Sequence, residues 1–381
     1  MKVEIYGANL RLGGAVVSAA SLVDGIVALL GEDSLAWIDQ LRFVLSPQIH
    51  RNLVREIDSV KWPSCQIEIR EDTPIRSMLR FPTWSPDLRY VLFGPAYVRS
   101  ARGINVSGFA DGTLVRSWKK SQSVDVGSMD ASQLLSLPRR FVKKRLLASF
   151  DAFVVQTEGM AQSLNQAFPY RPIEVIPNLL SPAFVYPHLR RWVNLPPRST
   201  REIRLFYPAK GWPHKNHRVL PGVSQAFFEL YQRRLVFVTT LTADDHKRLF
   251  PRSEIGVINV GPVDAAELPD LFQQTDGLFM PSLNETFSST PLEASYLRKP
   301  VIVSDLPFFR EVLGERAVYW DMQSPESAAK LIFSQILGDP AGEPDRLTRI
   351  DAAHEWAKDF ADSVSIARRH MGFLRAVSKS D

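Results

Sequence analysis

The sequence predicts an α/β protein of two domains, each built on a parallel sheet. Three observations predict it. Apolar runs of strand length alternate with segments of helical period along almost the whole chain. The 381 residues suit two domains of about 100–200 residues each. Between them lies a stretch, 181–201, that holds Pro182, Pro187, Pro196 and Pro197 and has neither period. The expected division is 1–180, a linker at 181–201, a second domain at 202–354, and a C-terminal helical segment at 355–381.

In the first half the expected strands are 3–7, 42–45, 66–69, 90–93, 105–109, 152–156 and 174–176. In the second they are 204–207, 235–239, 256–260, 277–280, 301–304 and 317–320. Each is a short apolar run bounded by turn residues, as strands buried on both faces require. Two such Rossmann-like halves imply a cleft, with ligands beyond the carboxyl ends of the strands.

Composition narrows the classes. Hydrophobic residues make up 45% of the chain, ordinary for a folded soluble protein. One cysteine, Cys65, excludes an internal disulfide framework, suits a reducing compartment, and reads as a buried, inert thiol. The apolar stretch 15–30 carries Asp24 and no basic leader. It reads as a first helix rather than a signal or a span of about 20 residues. A cytoplasmic protein is expected. The net charge of +5 suits an anionic partner without choosing one.

The richest stretch is Asn284-Glu285-Thr286-Phe287-Ser288-Ser289-Thr290-Pro291-Leu292-Glu293-Ala294. It gathers two carboxylates, a Ser/Thr turn and a helix start. A sugar nucleotide needs that mixture: amides for phosphates and hydroxyls, carboxylates for hydroxyl protons. Thr290-Pro291-Leu292-Glu293 also reads as a capping box, with Thr290 at the N-cap, Pro291 at N1 and Glu293 at N3. Earlier, Lys210 and Lys215 flank a turn after the strand at 204–207. They are either solvated surface lysines or cations that stabilise a departing diphosphate. Gly13-Gly14 opens the first helix, either as a plain turn or as a close approach to a bound anion.

These residues resemble the retaining glycosyltransferases of family 4, which have the GT-B fold. That family's signature is a pair of glutamates separated by seven residues, preceded by Pro-Ser and followed by Ala. Here it reads Pro281-Ser282, Glu285, Phe287, Pro291-Leu292 and Glu293-Ala294. Lys210-Gly211-Trp212-Pro213-His214-Lys215 resembles the family's basic loop, with lysine in place of the usual first arginine. Val175-Ile176-Pro177-Asn178 and Val260-Gly261-Pro262-Val263 are similar to flanking family segments. The resemblance is close over about 150–321 and thin over about 20–130.

The resemblance implies transfer of a hexose or related sugar from a nucleoside-diphosphate sugar to an acceptor hydroxyl, with the anomeric configuration retained. The acceptor it implies is a glycan or polyprenyl-linked glycan in surface polysaccharide assembly. It assigns Lys210 and Lys215 to the diphosphate and Glu293 to the ribose. Glu285 falls to the donor sugar, and Phe287, Ser288, Ser289 and Thr290 offer backbone amides to sugar hydroxyls and the distal phosphate. Gly14 falls near the donor phosphate or acceptor. A histidine that many members place at an N-terminal strand end has no counterpart in Val106-Ser107-Gly108-Phe109-Ala110-Asp111-Gly112. Asp111 is either a turn residue or a contact to donor or acceptor. No cofactor and no metal are expected, since no Asp-x-Asp motif occurs. Arg139, Arg140, Lys143, Lys144 and Arg145 are either a solvated helix face or a patch that rests on anionic lipid at the inner leaflet. Nucleic acid is not an expected partner. The competing readings are a sugar-nucleotide epimerase and a non-catalytic sugar-nucleotide-binding protein.

Overall fold

The structure is a computed structural model that describes residues 1–11, 13–55, 64–73, 84–94, 103–110, 144–251, 256–338 and 343–379. The chain divides into two units, Met1–Leu179 with Asp362–Asp381, and Leu180–Ala361.

The first unit holds a seven-stranded sheet: β1 (Lys2–Gly7), β2 (Gln40–Leu45), β3 (Cys65–Ile69), β4 (Leu88–Val91), β5 (Ile104–Phe109), β6 (Ala152–Val155) and β7 (Ile173–Val175). Their order is β3-β2-β1-β4-β5-β6-β7 and every pairing is parallel. The second unit holds β8 (Ile203–Tyr207), β9 (Leu235–Thr239), β10 (Val257–Asn259), β11 (Gly277–Met280), β12 (Val301–Ser304) and β13 (Val318–Trp320). These run parallel in the order β10-β9-β8-β11-β12-β13. Each of the thirteen expected strands forms, with ends moved by at most two residues. Strands β4, β6, β8, β9, β11 and β12 are buried at every position, because helices cover both faces of the sheets.

In both sheets the order reverses beside the first strand of the unit, between β1 and β4 and between β8 and β11. At such a switch point the loops after the two strands diverge to opposite faces and leave room for a ligand.

Residues 181–201, expected as a linker, are fastened to the second unit. Phe184 enters its core. Val193 donates its N–H to Asp270, and Arg198 reaches Asp276 at 2.9 Å. The helix Glu343–Lys358 also lies in that unit, so the expected C-terminal segment is split. The final helix, Ser363–Val377, packs on the helix Gly14–Ala28 of the first unit. Gly25 permits this, since a Cβ there would stand 2.3 Å from the Ser363 carbonyl oxygen. Cys65, expected to be buried, is half-buried at the start of β3 because β3 is an edge strand. Partial burial still pushes its thiol up to about 11, which keeps it protonated and unreactive. Among the described residues no helix is long and apolar enough to cross a membrane.

Candidate functional site

Lys210, Lys215, Glu285, Phe287, Ser288, Ser289, Thr290 and Glu293 all follow β8 or β11, the adjacent strands that flank the switch point of the second sheet. The sequence separation is large. The sheet order makes these loops neighbours.

The basic loop leaves β8 at Tyr207, which is fully buried. Gly211 lies against Asp245 on the helix Ala243–Leu249, where a Cβ would come within 2.5 Å of the Asp245 carboxyl carbon. Arg248 from the same helix donates to the Gly211 carbonyl at 2.6 Å and pairs with Asp245 at 2.6 Å. That hydrogen bond from Arg248 holds the Asp245 carboxyl below its ordinary range. The loop is thus pinned on one side. Pro213–Lys215 forms a single 3-10 turn, and Asn216 closes it in the left-handed region at φ 55°.

Lys215 lies at the end of that turn, and its Nζ forms an ion pair with Glu285 Oε1. Both side chains are largely buried, at 14% and 11% exposure. The backbone follows: Leu283 donates its N–H to the His214 carbonyl at 2.7 Å. Lys210, half-buried, makes no ion pair among the described residues. Its ammonium is held below the usual lysine range by burial, which the Asp245 charge partly offsets. Under the loop His217 is 1% exposed and packs on the Tyr207 ring, with centroids 4.7 Å apart. Burial and then the Lys215 charge hold its imidazole at about 4, hence neutral. His214 is also lowered, by burial first and Lys215 second, with Glu285 acting the other way.

The glutamate loop leaves β11 through Pro281 and the fully buried Ser282. Phe287 is 4% exposed and packs against Phe360, with centroids 5.9 Å apart, so the loop is anchored by an aromatic plug. Ser288 adopts φ 55°, a left-handed conformation that costs a non-glycine residue roughly 1–3 kcal/mol. The helix that follows spans Ser289–Tyr296, with Ser288 at its N-cap and no side-chain cap hydrogen bond.

The expected capping box does not form. The helix starts before Thr290, so Thr290 is inside it and Glu293 lies beyond N3. Pro291 sits in the first turn, where its missing N–H costs nothing. The Ser289 and Thr290 amides are left without a side-chain cap, which suits them to an anion or a hydroxyl oxygen. Glu293 is only 5% exposed, and no hydrogen bond to its carboxyl is present among the described residues. Burial raises its carboxyl to about 7.

Gly14 belongs to the first unit. A Cβ there would meet nothing within 4 Å, so the space beside it is open. The conformational demand falls instead on Gly13, the helix N-cap, at φ 83°. Asp111 and Gly112 lie outside the described residues, as do Arg139, Arg140 and Lys143. Lys144 and Arg145 are exposed.

Sequence reasoning missed Tyr207, read only as a strand end, together with Asp245 and Arg248. For Ser282 the signal was present in the Pro-Ser pair. For the other three there was none, because their roles depend on neighbours far away in the chain.

Known proteins resemble this chain in part of its sequence and in its fold. Residues 253–352 match the family described as glycosyl transferases group 1. The chain is 33% identical over 126 residues to the O-antigen chain mannosyltransferase RfbU of Salmonella typhimurium, covering 32% of this chain and 36% of that protein. It is 34% identical over 71 residues to the O-antigen biosynthesis glycosyltransferase WclY of Escherichia coli, covering 18% and 20%. The matches thus span well under half the length of those relatives. Among solved structures, sucrose-phosphate synthase from Thermosynechococcus elongatus aligns over 100% of this chain and 99% of its own, at TM-score 0.66 and 15% identity. A trehalose-6-phosphate protein from E. coli, solved with UDP-2-fluoro glucose, aligns over 98% of both chains at TM-score 0.62 and 10% identity. At such identities the likeness concerns the fold. Residues 253–352 thus resemble the glycosyl transferases group 1, and the two parallel-sheet, Rossmann-like units have the GT-B fold.

Proposed function

We propose that the protein transfers a sugar from a nucleoside-diphosphate sugar to an acceptor hydroxyl and retains the anomeric configuration. The observation that carries this reading is the Lys215–Glu285 ion pair across the β8/β11 switch point. It puts the cation of one loop and the carboxylate of the other in one small, partly desolvated space, where both act more strongly than in water.

In this reading Lys215 and Lys210 hold the diphosphate and supply positive charge in place of a metal ion. Glu293, buried and with no hydrogen bond to its carboxyl among the described residues, accepts from the ribose hydroxyls. Glu285 orients the donor sugar while its pairing keeps Lys215 aimed. Phe287 anchors the loop that presents the amides of Ser288, Ser289 and Thr290 to sugar and phosphate oxygens. The acceptor oxygen bonds to the anomeric carbon on the face the phosphate leaves. The anomeric C–O electron pair passes to the diphosphate, and the acceptor's proton goes to the same leaving oxygen. No separate base is needed.

We assign acceptor choice to the first unit, with Gly14 beside the bound group. The acceptor class is a glycan or polyprenyl-linked glycan of the O-antigen type, supported by the relatives' names. Lys144 and Arg145, with Arg139, Arg140 and Lys143, serve as the contact to an anionic inner-leaflet surface.

The test is thermal unfolding of the wild type and Lys215→Ala with UDP, GDP, ADP, CDP and dTDP. A ligand at a hundred times its dissociation constant adds about 2.7 kcal/mol to native stability. One diphosphate is expected to raise the melting temperature of the wild type only. Absence of any shift in the wild type overturns the donor-site reading. An inverted anomeric centre in the product overturns retention alone.

A further inference from the structure

We infer that Tyr207 is a positioning residue: its hydroxyl sets where Lys215 stands relative to Glu285. The inference rests on the donor-site reading above and adds a residue to it.

Tyr207 ends β8 and is completely buried. Its hydroxyl lies 2.7 Å from the Lys215 carbonyl oxygen, eight residues on, and 2.8 Å from Ser282 Oγ, seventy-five residues on. One arrangement of protons satisfies all three groups. Tyr207 donates to the Lys215 carbonyl, which has no proton of its own, and Ser282 donates to the Tyr207 oxygen. A single phenol oxygen therefore ties the basic loop to the root of the glutamate loop, inside the unit and away from solvent.

Two further contacts fix the direction of the tie. The Tyr207 ring cannot swing, because His217 packs on it at 31°. The loop backbone cannot slide, because the Leu283 N–H holds the His214 carbonyl at 2.7 Å. Residues 214 and 215 are thus held by residues 283 and 282 through two separate hydrogen-bonded links. The Lys215 side chain leaves this clamp towards Glu285. Burial raises the Tyr207 hydroxyl well above its ordinary value, against the opposing hydrogen bond from Ser282 and with the Glu285 charge adding to the rise, so the link keeps its proton at any physiological pH.

Removal of the hydroxyl in Tyr207→Phe leaves the Lys215 carbonyl and the buried Ser282 hydroxyl each short of a partner. The ring and its packing on His217 remain. The loops then sample other positions, and the first function to suffer is the aim of Lys215.

The experiment has two arms. In the ligand-free full chain, hydrogen exchange compares wild type and Tyr207→Phe. Faster exchange is expected in peptides covering 208–219 and 281–288, with the strand at 235–239 unchanged. Unchanged exchange in the two loops overturns the link, whatever the nucleotide result. In the second arm, binding of the diphosphate that stabilises the wild type is compared with binding of its monophosphate. Aim at the outer phosphate predicts that Tyr207→Phe narrows the diphosphate preference by about three- to tenfold, and that Ser282→Ala narrows it in the same direction. An equal weakening of both nucleotides overturns the positioning role and leaves Tyr207 as a packing residue. If no diphosphate binds the wild type, the donor-site reading falls, and with it the positioning of Lys215 for a phosphate; the exchange arm then decides only the link itself.

Discussion

Lys215 and Glu285 are seventy residues apart in sequence and form an ion pair that joins the loop after β8 to the loop after β11. Its setting is partly desolvated, so neither charge is well served by water if the other is removed.

Lys215→Ala and Glu285→Ala are each expected to lower stability by about 1–3 kcal/mol, because each takes one member from a largely buried ion pair. The double replacement Lys215→Met with Glu285→Leu is expected to recover most of that loss while failing to bind nucleoside diphosphate. Urea denaturation midpoints check the stability part, and melting shifts with nucleotide check the binding part.

Glu293 predicts a pH dependence of its own. Its folded carboxyl stands at about 7, above its ordinary 4.5. Between those values the native state holds more protons than the unfolded chain, so stability falls as pH rises through that window and levels off above it. The penalty at pH 8 is about 3 kcal/mol. Glu293→Gln removes the slope: it is expected to match wild type near pH 4 and exceed it at pH 8, measured by urea unfolding. Ribose hydroxyls that donate to ionised Glu293 lower its pKa. Nucleotide binding near pH 6.5 is then expected to release protons, seen as a buffer-dependent heat in calorimetry and absent in Glu293→Gln.

Gly211→Ala places a methyl group against the Asp245 side chain. The expected cost is about 1–3 kcal/mol, with loss of the Arg248 hydrogen bond to the Gly211 carbonyl. Lys210 is displaced with the loop. A drop in diphosphate affinity beyond the stability loss is the outcome to look for, and Asp245→Ala in the Gly211→Ala background is expected to restore part of it.

His370 anchors the last helix by a contact of 2.9 Å between its Nδ1 and the Tyr90 hydroxyl. Burial, then the Arg369 charge, lowers its imidazole to about 3 from the ordinary 6.5. Here the folded value lies below the unfolded one. The unfolded chain takes up the proton first, so stability is lost as pH falls from 6.5 towards 3, at about 1.4 kcal/mol per pH unit. The protection factor of the helix Ser363–Val377, that is, its exchange corrected for the intrinsic amide rate at each pH, is expected to fall over that range in wild type and far less in His370→Phe.

The strands could be read from sequence because each is an apolar run covered on both faces, a requirement that acts residue by residue. The glutamate motif was readable because its spacing and flanks lie within one short segment. The capping box misled for a local reason. Thr290, Pro291 and Glu293 fit the pattern, yet Ser288 takes a left-handed conformation and starts the helix earlier. The pattern at Gly13-Gly14 likewise marked the right turn, but the positive φ belongs to Gly13 and the open space to Gly14. Residues 181–201 lacked any period, and it takes partners such as Asp270 and Asp276, with Phe184 in the core, to show that they lie on the second unit.

The sequence by itself determined the two α/β units, the order of their strands along the chain, and the residue types at the candidate site. Periodicity and short motifs are local properties, so they survive in a one-dimensional record. The strand order across each sheet, the pairing of Lys215 with Glu285, the Tyr207–Ser282 link and the burial that raises Glu293 were decided by the tertiary structure. Each depends on which loops the parallel crossovers bring to one sheet end, and on water being excluded there.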